Sequence, residues 1–175
     1  PEGVQQVPQL LSHLGIRFVV VEHLKSTRID GAALWLNEVS PVIVMSMRYD
    51  RIDNFWFVLG HELAHIRNGD RSVDTDLVGA SAQPTEMKRE VEKKADRMAA
   101  SLLVSKQKIQ NFIARHRPRF SKQVIRGFAD SVGVHPGIVV GQLQYRKAIS
   151  YSHSREMLIP VRDLVTDVAI TDGWE

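Results

Sequence analysis

The stretch Phe55-Trp56-Phe57-Val58-Leu59-Gly60-His61-Glu62-Leu63-Ala64-His65 decides how the rest of this sequence is read. It runs from a dense apolar segment into an H-E-x-x-H pentad. On a helix, residues four apart stand on the same face, with Cβ atoms about 6 Å apart. His61 and His65 can therefore offer two imidazole nitrogens to one metal ion, at about 2.0–2.1 Å each for zinc. Glu62 projects beside them, where a carboxylate can take a proton from water held by that ion.

Two polar histidines on the exposed side of a half-buried helix would give the same letters. Three features argue against that. Ile52, Phe55, Trp56, Phe57 and Leu59 make the helix largely buried. Gly60, which costs about 1 kcal/mol against Ala inside a helix, stands directly before His61, as expected where backbone bulk has to be avoided. A second helix also supplies matching ligands.

That second helix covers residues 85–103. Val91, Ala95, Met98, Ala99, Leu102 and Leu103 recur at helical spacing and mark a core face. Glu92 and Asp96 flank this face, four apart. A catalytic zinc commonly has three protein ligands and a water, and two His with one Glu is a recognised set. Glu92 is the expected third ligand; Asp96, one turn on, can accept the free ring N–H of a ligand histidine and fix its tautomer. Lys88, Arg89, Lys93, Lys94 and Arg97 surround both, as on a solvated charged face, and Glu86 or Glu90 competes for the ligand role. Helical phase favours Glu92, which neighbours Val91 and Ala95.

H-E-L-A-H, a spacer, and then E-x-x-A-D-x-M-A-A-x-L-L-V resemble the two motifs of the ImmA/IrrE family of zinc metallopeptidase domains, over roughly residues 10–145. The resemblance implies His61, His65 and Glu92 as ligands of one Zn²⁺, Glu62 as catalytic acid/base, and Asp96 in support. Met98 stands where the family usually has Phe, and Ser105 where Pro usually closes the motif; neither is a proposed ligand. Members are bacterial or phage-related, and some cleave transcriptional repressors. Others are fused behind a helix-turn-helix DNA-binding domain, in proteins similar to HigA-type antitoxins. The expected activity is zinc-dependent cleavage of a repressor or other regulatory protein. The rival expectation is a non-proteolytic sensor domain of a transcription regulator or toxin–antitoxin antitoxin that keeps the metal-site fold. The chain opens at Pro1, and an upstream DNA-binding domain is the expected missing neighbour.

With 175 residues, 43% of them hydrophobic, the chain can bury one real core. There is no cysteine, so disulfides and thiolate metal sites are excluded, and a cytoplasmic setting fits. No apolar run reaches the 18 or so residues of a membrane helix, and no signal-peptide pattern opens the chain. The net charge of +3 is modest, yet basic residues gather between Lys106 and Lys122. They read either as a solvated helix face or as an electrostatic contact for an acidic protein or nucleic acid.

The coarse expectation is an α+β, zincin-like fold. It has a small three-stranded, mainly antiparallel sheet packed on a helical bundle that carries the pentad. Residues 3–14 read as an amphipathic helix, and 16–21, 31–36 and 41–47 as strands. The strand at 41–47 reads either as the edge for an extended substrate or as an interior strand that only builds core. Asp50 is the expected cap of the metal helix, and Asn68-Gly69 its end. Residues 70–84 read as a loop bordering the cleft. Ser105 caps the next helix, to about His116. Residues 121–146 form a helix-turn-helix-like pair capped by Ser121, turned by Gly133 and restarted at Pro136, with packing favoured over DNA reading. Residues 1–150 are expected to form the metallopeptidase-like domain, followed by a tail at 151–175 that is strand-like at 157–165. No spacing singles out an oxyanion donor among Tyr49, His116, His135, Tyr145 and His153.

Overall fold

The computed structural model describes residues 2–23, 26–70 and 86–172. The elements run α1 (Glu2–His13), β1 (Arg17–Val20), β2 (Gly31–Trp35), β3 (Pro41–Met45), α2 (Ile52–Asn68), α3 (Glu86–Leu103), α4 (Lys106–His116), α5 (Lys122–Val132) and α6 (Pro136–Tyr145). A 3₁₀ turn at Arg155–Met157, α7 (Arg162–Thr166) and β4 (Ile170–Thr171) follow. The expected α+β class holds. Among the described residues no helix is long and apolar enough to cross a membrane. Apart from Asp70, the expected loop at 70–84 lies outside the described residues.

The sheet corrects two expectations. It has four strands in the order β2-β3-β1-β4 and is mixed. β1 is parallel to both β3 and β4, and only the β2–β3 pair is antiparallel. The fourth strand is a two-residue segment of the tail, paired with Val19 and Val20. β3 is not the edge. Val42, Ile43 and Met45 are buried, and so continuous an apolar run belongs to a strand covered on both faces. The outer strand beside it is β2, whose Gly31, Ala32 and Ala33 are small and half-buried.

Two apolar clusters flank α2. One joins α1, the sheet, the buried side of α2, and Val161 and Val165 of the tail. The other joins α4, α5, α6 and Met157, and Trp56 of α2 packs against both. Burial on two sides, more than propensity, therefore holds the metal helix in place. α6 buries Ile138, Val139, Val140 and Leu143, which makes it a core helix.

The caps follow local chemistry, with one exception. Ser105 and Ser121 accept from the N–H groups of Lys108 and Val124, Gly133 takes the left-handed conformation after α5, and Pro136 opens α6. Asp50 does not cap α2: Arg51 holds that position, and its side chain pairs with Asp53 without capping the helix. The Asp50 carboxylate instead accepts from the N–H groups of Val161 and Arg162, at 2.7 and 2.8 Å. It thus fastens the tail to the entry of α2 and satisfies donors that α7 would leave unpaired at its own start.

Candidate metal centre

Helices α2 and α3 meet at Gly60. A Cβ built there would lie 3.3 Å from Ala99 Cα and 3.4 Å from Ala99 Cβ. The missing side chain is what lets the two backbones come this close. Because of this contact, His61 and His65 of α2 face Glu92 and Asp96 of α3.

The Nε2 atoms of His61 and His65 are 3.0 Å apart. Glu92 Oε2 is 3.1 Å from the first and Glu92 Oε1 3.5 Å from the second. A tetrahedral zinc with bonds of about 2.0–2.1 Å keeps its ligand atoms about 3.3 Å apart, and the observed spacings straddle that value. His61, His65 and Glu92 are thus positioned to hold one metal ion. The imidazoles are mostly enclosed (17% and 12% exposed side chains), while Glu92 is open at 43%.

Each ring is aimed by a second carboxylate. His61 Nδ1 lies 3.0 Å from Asp96 Oδ1, and His65 Nδ1 lies 3.1 Å from Asp70 Oδ2. An ionised carboxylate only accepts, so each Nδ1 donates to its aspartate; a metal ion that displaced the protons shared with Glu92 would then find both Nε2 lone pairs toward the centre. Asp70 was not among the expected site residues. Gly69, left-handed at φ 70°, turns the chain back on α2 and lets the Asp70 N–H bond to His65 O at 3.0 Å. The signal was present in the Asn68-Gly69 helix stop, five residues after His65.

Electrostatics support the grouping. Burial pushes His61 down, but hydrogen bonds to Asp96 and Glu92 outweigh it and raise it to about 10. His65 is raised, chiefly by Glu92, with burial opposing and Asp70 assisting. Glu92 is held well below the usual carboxylate range by its bonds to both histidines. A cation arriving at the two Nε2 atoms must displace this proton load, so its binding strengthens as pH rises.

Glu62 is set apart from the ligands. It is 6% exposed. Burial lifts it to about 7, although both histidines pull the other way and the Ala33 backbone N–H bonds to it. It reaches a cleft of about 80 Å³ formed by the ligands, the Gly31–Ala33 backbone of β2 and Lys88. Lys88 lies one turn before Glu92 on α3, the same spacing that places Asp96 one turn after it.

All five expected residues, His61, Glu62, His65, Glu92 and Asp96, are therefore brought together. Glu90 points elsewhere and pairs with Lys93 at 2.7 Å. None of the residues named above as oxyanion donors lines the cleft. His135 caps α6 by accepting from the Gly137 N–H, His153 Nε2 sits 2.7 Å from Phe120 O, and His116 packs on Phe112. Tyr49 and Tyr145 border a separate cavity of about 570 Å³. No protein-family model matches this chain, and no curated protein matches it either.

Proposed function

We propose that this chain is a zinc metallopeptidase domain of the ImmA/IrrE kind that cleaves a repressor or other regulatory protein. The convergence of two imidazoles and Glu92 beside the separately buried Glu62 carries this reading. Bound there, zinc would supply Lewis-acid polarisation of the scissile carbonyl and a more acidic water.

Glu62, lifted to about 7, is near the pH at which a group best both accepts and returns a proton. It takes the proton of the attacking water and later delivers it to the leaving amine. Asp96 and Asp70 hold the two rings in one tautomer. Lys88 contributes positive charge where the tetrahedral oxyanion develops.

The outer strand gives an extended substrate its place. Asp30 O and Leu36 N bond toward β3, so by strand alternation the peptide groups of Gly31, Ala33 and Trp35 face away from it. Gly31 would pair with substrate backbone beside the Ala33–Glu62 contact. Small residues at 31–33 keep that approach open.

A second reading, a regulatory domain that retains the metal site without turnover, is favoured by the smallness of the cleft at about 80 Å³. Co-expression with a panel of helix-turn-helix repressors separates the two. The peptidase reading expects wild type to cleave and Glu62→Gln to lose at least about 100-fold of the rate while keeping zinc. A wild-type protein that holds zinc and leaves every repressor of the panel intact would favour the regulatory reading.

A further inference from the structure

Helices α4 and α5 enclose a groove of about 490 Å³ on the side of the molecule built by the second apolar cluster. On α4 it is bordered by residues 108, 111, 112, 115 and 116, and on α5 by 124, 127, 128, 131 and 132. Both sets follow the i, i+3, i+4, i+7, i+8 pattern of a single helix face. Each face runs for about 12 Å, two helical turns. Two helices that present such faces to a common groove leave room for a third.

The floor is apolar and the wall is cationic. The Phe112 and Phe128 rings stack across the groove at 4.1 Å and 12°, with Val124 and Val132 half-buried beside them. Lys108 and Arg115 are exposed along the α4 side. Neither makes a side-chain ion pair among the described residues, whereas nearby Lys122 is engaged with Glu156 at 2.8 Å. No acidic residue lines the groove.

Gly127 is the third observation. It lies inside α5, where glycine weakens a helix, yet a Cβ there would meet nothing within 4 Å. Among the described residues neither a turn nor close packing calls for it. The bare backbone leaves room there for another to come close.

We propose that the α4–α5 groove docks an acidic amphipathic helix of a partner protein. Apolar residues at i, i+4 and i+7 of the partner seat on Phe112, Val124 and Phe128, and its flanking carboxylates meet Lys108 and Arg115. The partner's backbone crosses α5 at Gly127. An apolar floor beside a single cationic wall favours such a helix over nucleic acid, whose phosphates would engage the cations and leave the floor uncovered. The site is separate from the metal centre and does not depend on turnover there.

The test uses two synthetic helical peptides of about 16 residues with one apolar face, flanked by Glu in one and by Lys in the other. They are titrated into the full chain and followed by backbone amide shifts. The Glu peptide is expected to shift amides in 108–116 and 124–132, to bind at least about tenfold more tightly than the Lys peptide, and to weaken with salt. Gly127→Leu, which improves helix propensity and so keeps the fold, should cost at least about tenfold in binding by filling the groove. The proposal fails if neither peptide shifts these amides at millimolar concentration, if both bind alike, or if Gly127→Leu changes nothing. It also fails if a DNA duplex shifts these amides while the Glu peptide does not.

Discussion

Replacing Gly60 by Val tests whether helix spacing builds the metal centre. The Cβ alone would sit 3.3 Å from Ala99 Cα, inside the 3.5–4.0 Å of an ordinary carbon contact. Gly60→Ala needs only a few tenths of an ångström of adjustment, and better helix propensity offsets its cost. The two γ carbons of Val reach about 1.5 Å further, so the helices must part by about 1 Å. Glu92 now lies 3.1 and 3.5 Å from the two Nε2 atoms, and metal–ligand distances tolerate about 0.2 Å. Gly60→Val should therefore lose at least about 100-fold in zinc affinity, more than loss of a supporting hydrogen bond typically costs. Overpacking should lower stability by about 1–3 kcal/mol. Competition against a chromophoric chelator reads the affinity, and circular dichroism checks that the helices remain. A folded Val variant with wild-type zinc affinity would refute the reasoning, as would an Ala variant that loses as much as Val.

Two further predictions concern the carboxylates. In chelator-treated protein Glu62 rises from its ordinary 4.5 to about 7 on folding. The stability it contributes is complete below 4.5 and is lost as pH climbs through 7, about 3 kcal/mol at ~1.36 kcal/mol per pH unit. Glu62→Gln should match wild type near pH 4.5 and exceed it by about 3 kcal/mol at pH 8 in urea unfolding; equal stabilities at pH 8 would contradict the burial argument. Asp50→Ala strands the N–H groups of Val161 and Arg162 and should cost about 1–3 kcal/mol. The amides of residues 161 and 162 should exchange faster with solvent, and an unchanged exchange rate would rule out the tie between tail and α2.

The candidate metal centre was the most legible part of the sequence because it is written in helical phase. A four-residue spacing puts His61 over His65 and Glu92 over Asp96, and Gly60 marks where the two helices touch. The Ser105, Ser121 and Gly133 signals were equally local, and each acts within its own turn. What could not be read was long-range. β4 is two residues that pair with a strand about 150 positions earlier, too short for any periodicity. Asp50 looked like a helix cap because local rules place an acid there, but its partners come from residues 161 and 162. The run at 41–47 gave no sign of its neighbours, since its place inside the sheet is set by pairing with residues 17–20 on one edge and 31–35 on the other. Asp70 is intermediate: the glycine stop was plain, and only its three-dimensional consequence, a carboxylate returned to His65, was missed.

The most direct test of the central claim is zinc binding to wild type, Glu92→Ala, Asp96→Asn and Glu90→Ala, measured side by side by calorimetry and elemental analysis. The account predicts one zinc per chain in wild type and in Glu90→Ala. Affinity should fall about 10- to 100-fold in Asp96→Asn and further in Glu92→Ala, which loses a ligand. Zinc binding that is absent from wild type, or that survives Glu92→Ala unchanged, would contradict it.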